Sequence, residues 1–424
     1  MKILIVGGGG REHAIAWKLS KENNVEKIYC APGNAGIAKV AQCVNISDSD
    51  IENLVKFAKE NNIDLTVVWP EVPLVNGIVD EFEKEGLKIF GPNKECSTFE
   101  GSKSFSKDFM IRHNIPTAKY KEYTNLDEAI SEIDSFGYPV VIKADGLAAG
   151  KGVVIPENRE DAINTLKEMM SDKKFGSAGD KVVIEEFLSG IETSILAFVD
   201  NDTIVPMVSA KDHKKVYNFE KGPNTGGMGT FSPSEIYTDE LSKEISEKVL
   251  NRTLEGFKKD NLNYKGVLFI GLMITEDGPK VLEYNVRFGD PETQSVLFRL
   301  ETDLHKIMEA ILDNKLKDIE INYKKEEAVC VMLTSGGYPE DYEKGKVITG
   351  LEDLDEDIVV FHSGTKMLDG NLVTNGGRVI GITTSAGSVE EAAKKVYKNI
   401  EKINFEGMHY RTDIGIKFCE EISF

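Results

Sequence analysis

One stretch of the sequence decides the fold: Val140-Val141-Ile142-Lys143-Ala144-Asp145-Gly146-Leu147-Ala148-Ala149-Gly150-Lys151-Gly152. It begins as an apolar strand that carries Lys143 and continues as a glycine-rich loop. The loop is not a Walker A motif, because only three residues separate Gly146 from Gly150 and Gly152 stands where Ser or Thr is required. We interpret it as a flap between two strands, whose backbone N–H groups can cover nucleotide phosphates. The alternative is a plain surface hairpin.

The composition excludes several classes of protein. The 424 residues suggest about two to four domains, and a hydrophobic fraction of 41% is enough for sizeable cores. Lys and Arg number 51 against 71 Asp and Glu, which gives a formal net charge of −20. We therefore expect no nucleic-acid and no membrane partner, since both require a basic surface. Small phosphorylated substrates are compatible with this charge, because a pocket can be locally positive.

The sequence shows no targeting segment and no metal motif. The apolar residues at 3–6 are too few for a signal-peptide core, and no run approaches the ~18 apolar residues of a membrane helix. The five cysteines are scattered, without a C-x-x-C pair or an H-E-x-x-H motif. We therefore expect neither a disulfide framework nor a zinc site, and we predict a cytoplasmic protein.

The first 101 residues alternate between strands and helices. Strands are predicted at 2–6, 27–30, 64–69 and 87–90, with a helix near 51–60 that begins after a cap at Ser47-Asp48. This alternation is typical of βαβ units with parallel strands. We predict an N-terminal βαβ domain over residues 1–101.

Four glycines, Gly7 to Gly10, follow the first strand and open a helix. Glycines at this position allow a phosphate group to approach the backbone, and the helix N-terminus presents N–H donors to it. The dinucleotide fingerprint G-x-G-x-x-G is absent, because Glu12 or His13 stands where the third glycine is needed. The loop indicates a phosphate or nucleotide-like ligand rather than NAD, and a tight turn without a ligand is the alternative.

The rest of the chain mixes antiparallel strands with helices. Strands of an antiparallel sheet are predicted at 182–187, 192–200 and 203–209, a hairpin at 267–275 and 280–284, and helices at 238–259 and 293–313. Strands at 328–334, 357–362 and 378–384 and a helix at 388–402 follow. We predict a middle region over 102–325 and a small β-rich C-terminal domain over 326–424.

A carboxylate–amide pair, Glu283 and Asn285, ends the second strand of the predicted hairpin. Residues two apart on a strand face the same side, so their oxygens can bind one cation. Hard oxygen ligands with few protein contacts suit Mg²⁺ bound to nucleotide phosphates. The alternative is an ordinary solvated strand face.

Eight segments match one family in its own order across nearly the whole chain: GGGGREH 7–13, PGN 32–34, PEVPL 70–74, KADGLAAGKGV 143–153, DHK 212–214, GPNTGGMG 222–229, NVRFGDPE 285–292 and YRTDIG 410–415. On these residues the chain resembles the glycinamide ribonucleotide synthetase (phosphoribosylamine–glycine ligase) family of the ATP-grasp superfamily. The resemblance implies a multidomain α/β and α+β fold. An ATP-grasp core would be flanked by a βαβ domain like that of biotin carboxylase and by a small C-terminal domain. The resemblance implies that the middle region, 102–325, is a catalytic core with a mobile flap subdomain at about 120–190.

The resemblance also implies a reaction. ATP phosphorylates glycine to glycyl phosphate, and the amine of 5-phosphoribosylamine then displaces phosphate, giving glycinamide ribonucleotide in de novo purine biosynthesis. ATP is the co-substrate, Mg²⁺ or Mn²⁺ is the cofactor, and a monomer is expected. No protein nucleophile is needed, because catalysis depends on positioning and charge neutralisation.

Residue roles follow from the same resemblance. Glu283 and Asn285 are expected to hold the metal, whereas Lys143, Arg287, Asp212 and Lys214 are expected to be catalytic. The other residues expected to bind ATP are Lys103, Gly146, Gly150, Lys151, Gly152, Glu185, Glu186, Phe187, Leu188 and Glu192. The residues expected to bind the other substrates are Gly8, Gly9, Gly10, Arg11, Glu12, Gly33, Asn34, Glu71, Asn224, Thr225, Gly226 and Asp290.

Three other functions compete with this one. The nearest is another purine-pathway ligase that uses bicarbonate or formate, against which the segments 222–229 and 410–413 argue. A nucleotide-binding module without catalysis is disfavoured by the presence together of Lys143, Glu283, Asn285 and Arg287. A dehydrogenase is disfavoured because both glycine loops break its fingerprint.

Overall fold

The structure, a computed structural model, describes residues 1–148 and 152–416. Gly150 and Lys151, both predicted to bind ATP, lie outside the described residues. Numbered in chain order, the strands are β1 Lys2–Gly7, β2 Lys27–Pro32, β3 Gln42–Cys43, β4 Leu65–Val68, β5 Ile89–Phe90, β6 Tyr120–Tyr123, β7 Val140–Ala144, β8 Val153–Val154, β9 Val182–Glu186, β10 Ile191–Val199, β11 Ile204–Pro206, β12 Lys211–Asp212, β13 Lys215–Tyr217, β14 Lys221–Asn224, β15 Gly229–Ser232, β16 Gly266–Thr275, β17 Gly278–Asn285, β18 Glu327–Thr334, β19 Val359–His362, β20 Thr365–Leu368, β21 Asn371–Thr374 and β22 Arg378–Ala386.

Helices connect and cover these strands. They are α1 Gly10–Leu19, α2 Ile51–Glu60, α3 Glu71–Asn76, α4 Ile78–Lys84, α5 Lys94–Gly101, α6 Lys103–Arg112, α7 Leu126–Glu132, α8 Arg159–Leu166, α9 Asp239–Ile245, α10 Asn251–Lys259, α11 Glu292–Arg299, α12 Leu304–Leu312 and α13 Val389–Ile400. A π-helical stretch, Ser246–Leu250, joins α9 to α10, so the predicted helix at 238–259 is continuous. Among the residues described, no helix combines the length and apolar character that crossing a bilayer would require.

The N-terminal sheet is parallel, in the strand order β3-β2-β1-β4-β5. Its central strand β1 is buried on both faces. Leu4 and Val6 pack into one hydrophobic cluster, whereas Ile3 and Ile5 pack into another, as the two-residue period of a strand requires. The predicted βαβ arrangement is confirmed.

Two antiparallel sheets form the middle of the molecule. The flap sheet has the order β6-β9-β7-β8, and the core sheet has the order β11-β10-β16-β17. The prediction that residues 182–187 share one sheet with 192–200 and 203–209 is wrong, because β9 pairs with β6 and β7 instead. The turn at Gly190, with a φ of +159°, separates β9 from β10 and directs the chain into the core sheet.

The C-terminal sheet joins distant parts of the chain, in the order β12-β15-β18-β22-β19. β15 pairs antiparallel with β18, placing Gly229 opposite Val331 and Ser232 opposite Ala328. The short strands β12 and β15 were not predicted, because two to four residues carry too little periodicity. This sheet brings residues 211–232 against the last part of the chain.

Two local predictions need correction. The helix predicted at 293–313 is divided into α11 and α12, because Leu300 has an extended conformation with a ψ of 118°. Helix α2 is capped by Asp50, whose Oδ1 accepts a hydrogen bond from the Asn53 N–H at 3.2 Å, and not by Ser47-Asp48. The hairpin of β20 and β21 was also not anticipated.

Candidate active site

Lys143 joins the flap sheet to the core sheet. It lies on β7, and its Nζ donates a hydrogen bond to the Leu282 carbonyl of β17 at 3.2 Å. The same Nζ lies 2.9 Å from Oε1 of Glu185 on β9. The lysine is buried, so its charge is held in place rather than solvated.

Glu185 is paired with a second lysine that the sequence analysis did not identify. Lys107, on α6, places its Nζ 2.8 Å from Glu185 Oε2, and both side chains are 2% exposed. Burial lowers the pKa of Lys107 to about 8, although the carboxylate acts in the opposite direction. Both oxygens of Glu185 therefore face lysines within the protein.

Glu283 lies among three ammonium groups. Burial alone would raise its pKa, but Lys143, Lys214 and Lys103, together with a hydrogen bond from Asn285, hold the pKa below its usual value. Asn285 Nδ2 lies 3.2 Å from Glu283 Oε1, so the two side chains adjoin as predicted. The acidic chain thus contains a locally cationic pocket.

The donor set at this pocket fits a hard divalent cation. Glu283 is ionised and Asn285 offers an amide oxygen, both of which are ligand types that Mg²⁺ and Mn²⁺ accept. Within residues 1–148 and 152–416, no cluster of three or more His, Cys, Asp or Glu side chains forms a complete metal site. The remaining ligands would have to come from another molecule, such as the phosphates of a nucleotide.

Arg287 is held by two carboxylates from the N-terminal part of the chain. Its Nη2 lies 2.9 Å from Glu100 Oε1, and its Nε lies 3.4 Å from Glu71 Oε2. Burial acts to raise the pKa of Glu71, but Arg287 and Arg11 lower it below its usual value. The guanidinium is oriented before any ligand binds.

The glycine loop after β1 approaches the turn after β2 closely. A Cβ on Gly8 would lie 2.6 Å from the Gly33 carbonyl oxygen, so a larger residue does not fit there. Glu12 is buried and holds the loop, accepting hydrogen bonds from Gly9 N at 2.6 Å and from Arg11 Nε at 2.9 Å. Asn34 Nδ2 donates to the Gly8 carbonyl at 2.9 Å.

Asn34 also connects this loop to the C-terminal sheet. Its Nδ2 donates to the His362 carbonyl at 2.8 Å, and its Oδ1 accepts from the Gly36 and Ile37 N–H groups at 2.9 Å. Its side chain is therefore satisfied within the protein. Any contact with a ligand would come from the backbone of this turn.

Asp212 and Lys214 form an ion pair at 3.0 Å, on and just after β12. A third residue that the sequence analysis did not assign, Glu292, lies beside them at the start of α11. Burial and the negative charge of Asp212 raise the pKa of Glu292 to about 7, while Lys214 lowers it. Ser194 Oγ, from β10, donates to Glu292 Oε1 at 3.4 Å.

Asp290 is bound by an arginine from the C-terminal sheet. Arg378 Nη2 lies 3.1 Å from Asp290 Oδ2, and its Nη1 donates to the Asp290 and Gly226 carbonyls at 2.6 and 2.8 Å. Thr225 lies in the same loop and bonds to the Lys214 carbonyl at 2.8 Å, whereas Asn224 is exposed at the end of β14. Arg378 thereby fixes two predicted substrate-binding residues.

The remaining predicted residues lie on helix α6, at the flap loop and where the chain passes from the flap sheet to the core sheet. Lys103 begins α6 and its Nζ donates to the Gly146 carbonyl at 3.0 Å. A Cβ on Gly152 would lie 2.6 Å from the Ala148 Cβ, so the ends of the flap loop approach closely. The residues at and after the end of β9 and at the start of β10 line the junction of the two sheets: Glu186, Phe187, Leu188 and Glu192.

Four residues of the candidate site were not predicted from the sequence. Lys107, Glu100, Glu292 and Arg378 are each paired with a predicted residue or adjacent to one. Glu292 belongs to the segment NVRFGDPE and was visible there. The other three lie on helices or a strand with no local motif, and only the tertiary structure brings them into the site.

Two antiparallel sheets that meet where Lys143 of one reaches β17 of the other, which ends in a carboxylate–amide pair, are the arrangement of an ATP-grasp enzyme. Family models for phosphoribosylglycinamide synthetase match the N domain at residues 1–100, the ATP-grasp (A) domain at 101–293 and the C domain at 328–417. The chain belongs to the phosphoribosylglycinamide synthetase family, so the predicted family and fold class are confirmed.

Relatives match over the full length. A phosphoribosylamine–glycine ligase of Caldanaerobacter subterraneus subsp. tengcongensis is 52% identical over 415 residues, which cover 98% of this chain and 99% of that protein. The crystal structure of the phosphoribosylamine–glycine ligase of Thermotoga maritima superposes with a TM-score of 0.85 at 36% identity, over 98% of this chain and 100% of that one. A biotin carboxylase–βγ-ATP complex of Campylobacter jejuni shares the fold, with a TM-score of 0.74 at 14% identity over 96% of this chain and 92% of that one.

Proposed function

We propose that this chain is a phosphoribosylamine–glycine ligase, which uses ATP to join glycine to 5-phosphoribosylamine. The products are glycinamide ribonucleotide, ADP and phosphate, in de novo purine biosynthesis. The observation that carries the proposal is the position of the Glu283 carboxylate among the ammonium groups of Lys103, Lys143 and Lys214, in a chain of this family. Such a pocket suits a triphosphate and its metal ion.

The first step activates an unreactive carboxylate. Glycine attacks the γ-phosphorus of ATP through a carboxylate oxygen, the bond to the β-phosphate oxygen breaks, and glycyl phosphate and ADP form. Lys143 and Lys103 neutralise charge on the ATP phosphates, and Arg287 binds the transferring phosphoryl group because its planar fork matches oxyanions. Ion pairs with Glu185 and Glu100 hold Lys143 and Arg287 in place before ATP arrives.

The other predicted ATP contacts belong to the joint between the two sheets. The Gly146–Gly152 loop, including Gly150 and Lys151, is proposed to cover the phosphates. Glu185 and the backbone of Phe187 and Leu188 are proposed to hydrogen-bond the adenine, with Glu186 beside them and Glu192 at the ribose. Glu185 can serve both ATP and the lysines only if it stays ionised, and its two ion pairs lower its pKa although burial alone would raise it.

Glu283 and Asn285 would hold one divalent ion, Mg²⁺ or Mn²⁺, against the nucleotide phosphates. The ion would supply charge neutralisation on the phosphate oxygens when bound. The paired strand β16 offers no acidic side chain at 268–273, so a second ion would depend on nucleotide oxygens.

The second step forms the amide bond. The amine of phosphoribosylamine attacks the glycyl carbonyl, and phosphate leaves with the electrons of the C–O bond. The backbone N–H groups of the Gly8–Gly10 loop and the Gly33–Asn34 turn are proposed to bind the phosphate and hydroxyls of phosphoribosylamine, next to Arg11 and Glu12. The residues proposed to surround glycine and the amine are Glu71, Asp212, Lys214, Asn224, Thr225, Gly226 and Asp290.

Three further expectations belong to this proposal. The chain is divided into an N-terminal domain at 1–101, a catalytic core at 102–325 with a flap at about 120–190, and a C-terminal domain at 326–424. It acts as a monomer on small-molecule substrates. It works in the cytoplasm, as its scattered thiols suggested.

A coupled ADP-release assay tests the reaction. ADP should form only when ATP, glycine and phosphoribosylamine are all present, and glycinamide ribonucleotide should appear in equal amount by mass spectrometry. Formate or bicarbonate in place of glycine should give no amide product. Turnover with either of these, or ADP release independent of glycine, would assign the chain another ligase or ATPase activity.

A further inference from the structure

Amide bond formation in the proposed reaction requires a proton acceptor. As the nitrogen of phosphoribosylamine bonds to the glycyl carbon, it gains positive charge and must lose a proton before the amide is complete. A side chain that accepts this proton should lie beside the amine and have a pKa near the working pH. The question is which carboxylate of the cleft meets both requirements.

Most of the carboxylates at the cleft are bound to cations. Asp290 pairs with Arg378, Glu71 and Glu100 pair with Arg287, and Asp212 pairs with Lys214. Each of these pairs keeps a carboxylate oxygen engaged with a cation. Burial raises the pKa of Glu100 although Arg287 lowers it, but both Glu100 oxygens already accept hydrogen bonds, from the Val286 N–H and from Arg287 Nε. His213 is buried beside Asp212, and burial lowers its pKa to about 3; a base that weak does not match neutral pH.

Glu292 differs from all of these. Its side chain is buried, yet no lysine or arginine forms an ion pair with it in the part of the chain that the structure describes. Its Oε1 accepts a long hydrogen bond from Ser194 Oγ at 3.4 Å, and its Oε2 lies where a Cβ on Gly289 would be. Burial and Asp212 raise its pKa to about 7.

The charged groups around Glu292 come from every neighbouring element. Asp212 and Lys214 face it from β12 and the residue beyond, Asp290 precedes it in the loop, and the more distant cations are Arg287 after β17 and Arg378 on β22. Helix α1, which packs on α11, contributes Arg11, whose guanidinium bonds to Glu12 and to the Phe288 carbonyl. The charged groups that act most strongly on Glu292 are therefore the carboxylates of Asp212 and Asp290 and the ammonium group of Lys214.

We propose that Glu292 is the base that takes the proton from the attacking amine. The C–N bond forms while an N–H proton passes to the Glu292 carboxylate, and the C–O bond to phosphate breaks with its electron pair leaving on phosphate. The protonated Glu292 then returns its proton to solvent as the products depart. The inference rests on the proposed ligase function and adds to it the group that permits aminolysis.

The pH dependence of kcat tests the proposal. In the wild type, kcat should rise with pH below about 7 and level off above it, when assayed over roughly pH 5.5 to 9. Glu292→Gln should lower kcat about 100-fold near neutral pH and abolish this rise. Glu292→Asp, which keeps a retracted carboxylate, should lie between the two and retain the rise. The exposed Glu301→Gln, just after α11, is the matched control and should behave as wild type.

A second nucleophile separates a base from a merely structural residue. Hydroxylamine attacks acyl phosphates without help from a base, so Glu292→Gln should form glycine hydroxamate from ATP and glycine at close to the wild-type rate. Equal losses with both nucleophiles, or a Glu292→Gln variant that keeps the wild-type pH profile, would overturn the proposal. If the wild type itself releases no ADP with glycine and phosphoribosylamine, the proposed function has failed instead.

Discussion

Nζ of Lys143 lies 2.9 Å from Oε1 of Glu185, on neighbouring strands of the flap sheet. The same lysine reaches the core sheet through the Leu282 carbonyl. A single side chain thus connects the two surfaces between which the nucleotide is proposed to lie. Because the ion pair is buried, it holds the lysine side chain in one orientation, whereas a solvated lysine samples many.

Removing this cation should stop the reaction without unfolding the protein. Lys143→Met keeps most of the side-chain volume but leaves no charge for the ATP phosphates, and Glu283→Ala removes a proposed metal ligand. Either variant should lower kcat/KM at least about 100-fold, the usual cost of one electrostatic contact to the transition state.

The measurement is the coupled ADP assay, with circular dichroism to check the fold. Lys121→Gln is the control, since Lys121 is an exposed lysine on β6 of the same sheet. Near-wild-type turnover in Lys143→Met would remove Lys143 from the ATP site.

Glu185 should matter for stability as well as for ATP. Glu185→Gln leaves Lys107 and Lys143 buried without a counter-charge, which costs about 3–5 kcal/mol when a buried pair is broken. Urea unfolding should show this loss, and adding Lys107→Met should recover part of it. Glu122→Gln, at an exposed site on β6, should have no comparable effect. An unchanged unfolding midpoint in Glu185→Gln would contradict the buried network.

Arg378 should affect the substrates and not the nucleotide. Arg378→Lys cannot hold the Asp290 carboxylate and the Gly226 carbonyl together, because the ammonium lacks the planar fork. The KM for glycine or phosphoribosylamine should rise roughly tenfold, the cost of about one hydrogen bond to a charged group, while the KM for ATP stays constant. A rise in the KM for ATP alone would place this arginine elsewhere in the mechanism. Arg159→Lys serves as the control, since Arg159 forms an exposed ion pair with Asp134 on the flap side of the molecule.

The raised pKa of Glu292 has a consequence for stability. The folded protein keeps this proton up to about pH 7, whereas the unfolded chain releases it near the ordinary value of 4.5. Between these values the folded state binds more protons, so the free energy of unfolding falls as the pH rises. Above about pH 7 this carboxylate is ionised in the folded protein as well, and burying its charge then lowers the free energy of unfolding by the full amount.

Glu292→Gln should therefore be more stable than the wild type at pH 8, by on the order of 1–3 kcal/mol. At pH 4, where both states of the wild type are protonated, the two proteins should unfold at similar urea concentrations. A stability difference that is the same at both pH values would show that the pKa of Glu292 is not raised in the folded protein.

Nucleotide binding should protect the flap sheet from hydrogen exchange. The ATP phosphates are proposed to bind the loop between β7 and β8, so amides of β7, β8 and β9 should exchange more slowly with ATP present. Amides of β1 and β4, in the N-terminal sheet, provide an internal reference. Equal protection of the flap sheet with and without ATP would contradict closure over the nucleotide.

The sequence predicted the fold and the family best where an apolar pattern was long or where several motifs occurred together. The buried strand at 2–6 and the hairpin at 267–284 could be located because their apolar residues and turn signals are local. The family and its ligase class were predicted from eight short segments and are confirmed by full-length relatives. The roles of the individual site residues and the three domain boundaries stay predictions.

The sequence could not reveal contacts made across the fold. Lys107 lies on a helix with no local motif, and only the tertiary structure shows that it forms a buried ion pair with Glu185. Arg378 lies in a strand far along the chain from Asp290, so no spacing rule connects them. β15 is too short to be recognised alone, and its pairing with β18 decides where it lies.

β18 lies between β15 and β22, so a segment beyond residue 326 completes a ladder that begins before residue 233. Genetic recombination at the junction near residue 325 would therefore separate two halves of one sheet. In a chimaera of distant relatives joined there, β15 and β18 would come from different proteins, and their side chains would pack poorly against each other. Successful crossovers should instead exchange the 211–232 segment together with the terminal part, so that these two stretches are inherited as one unit.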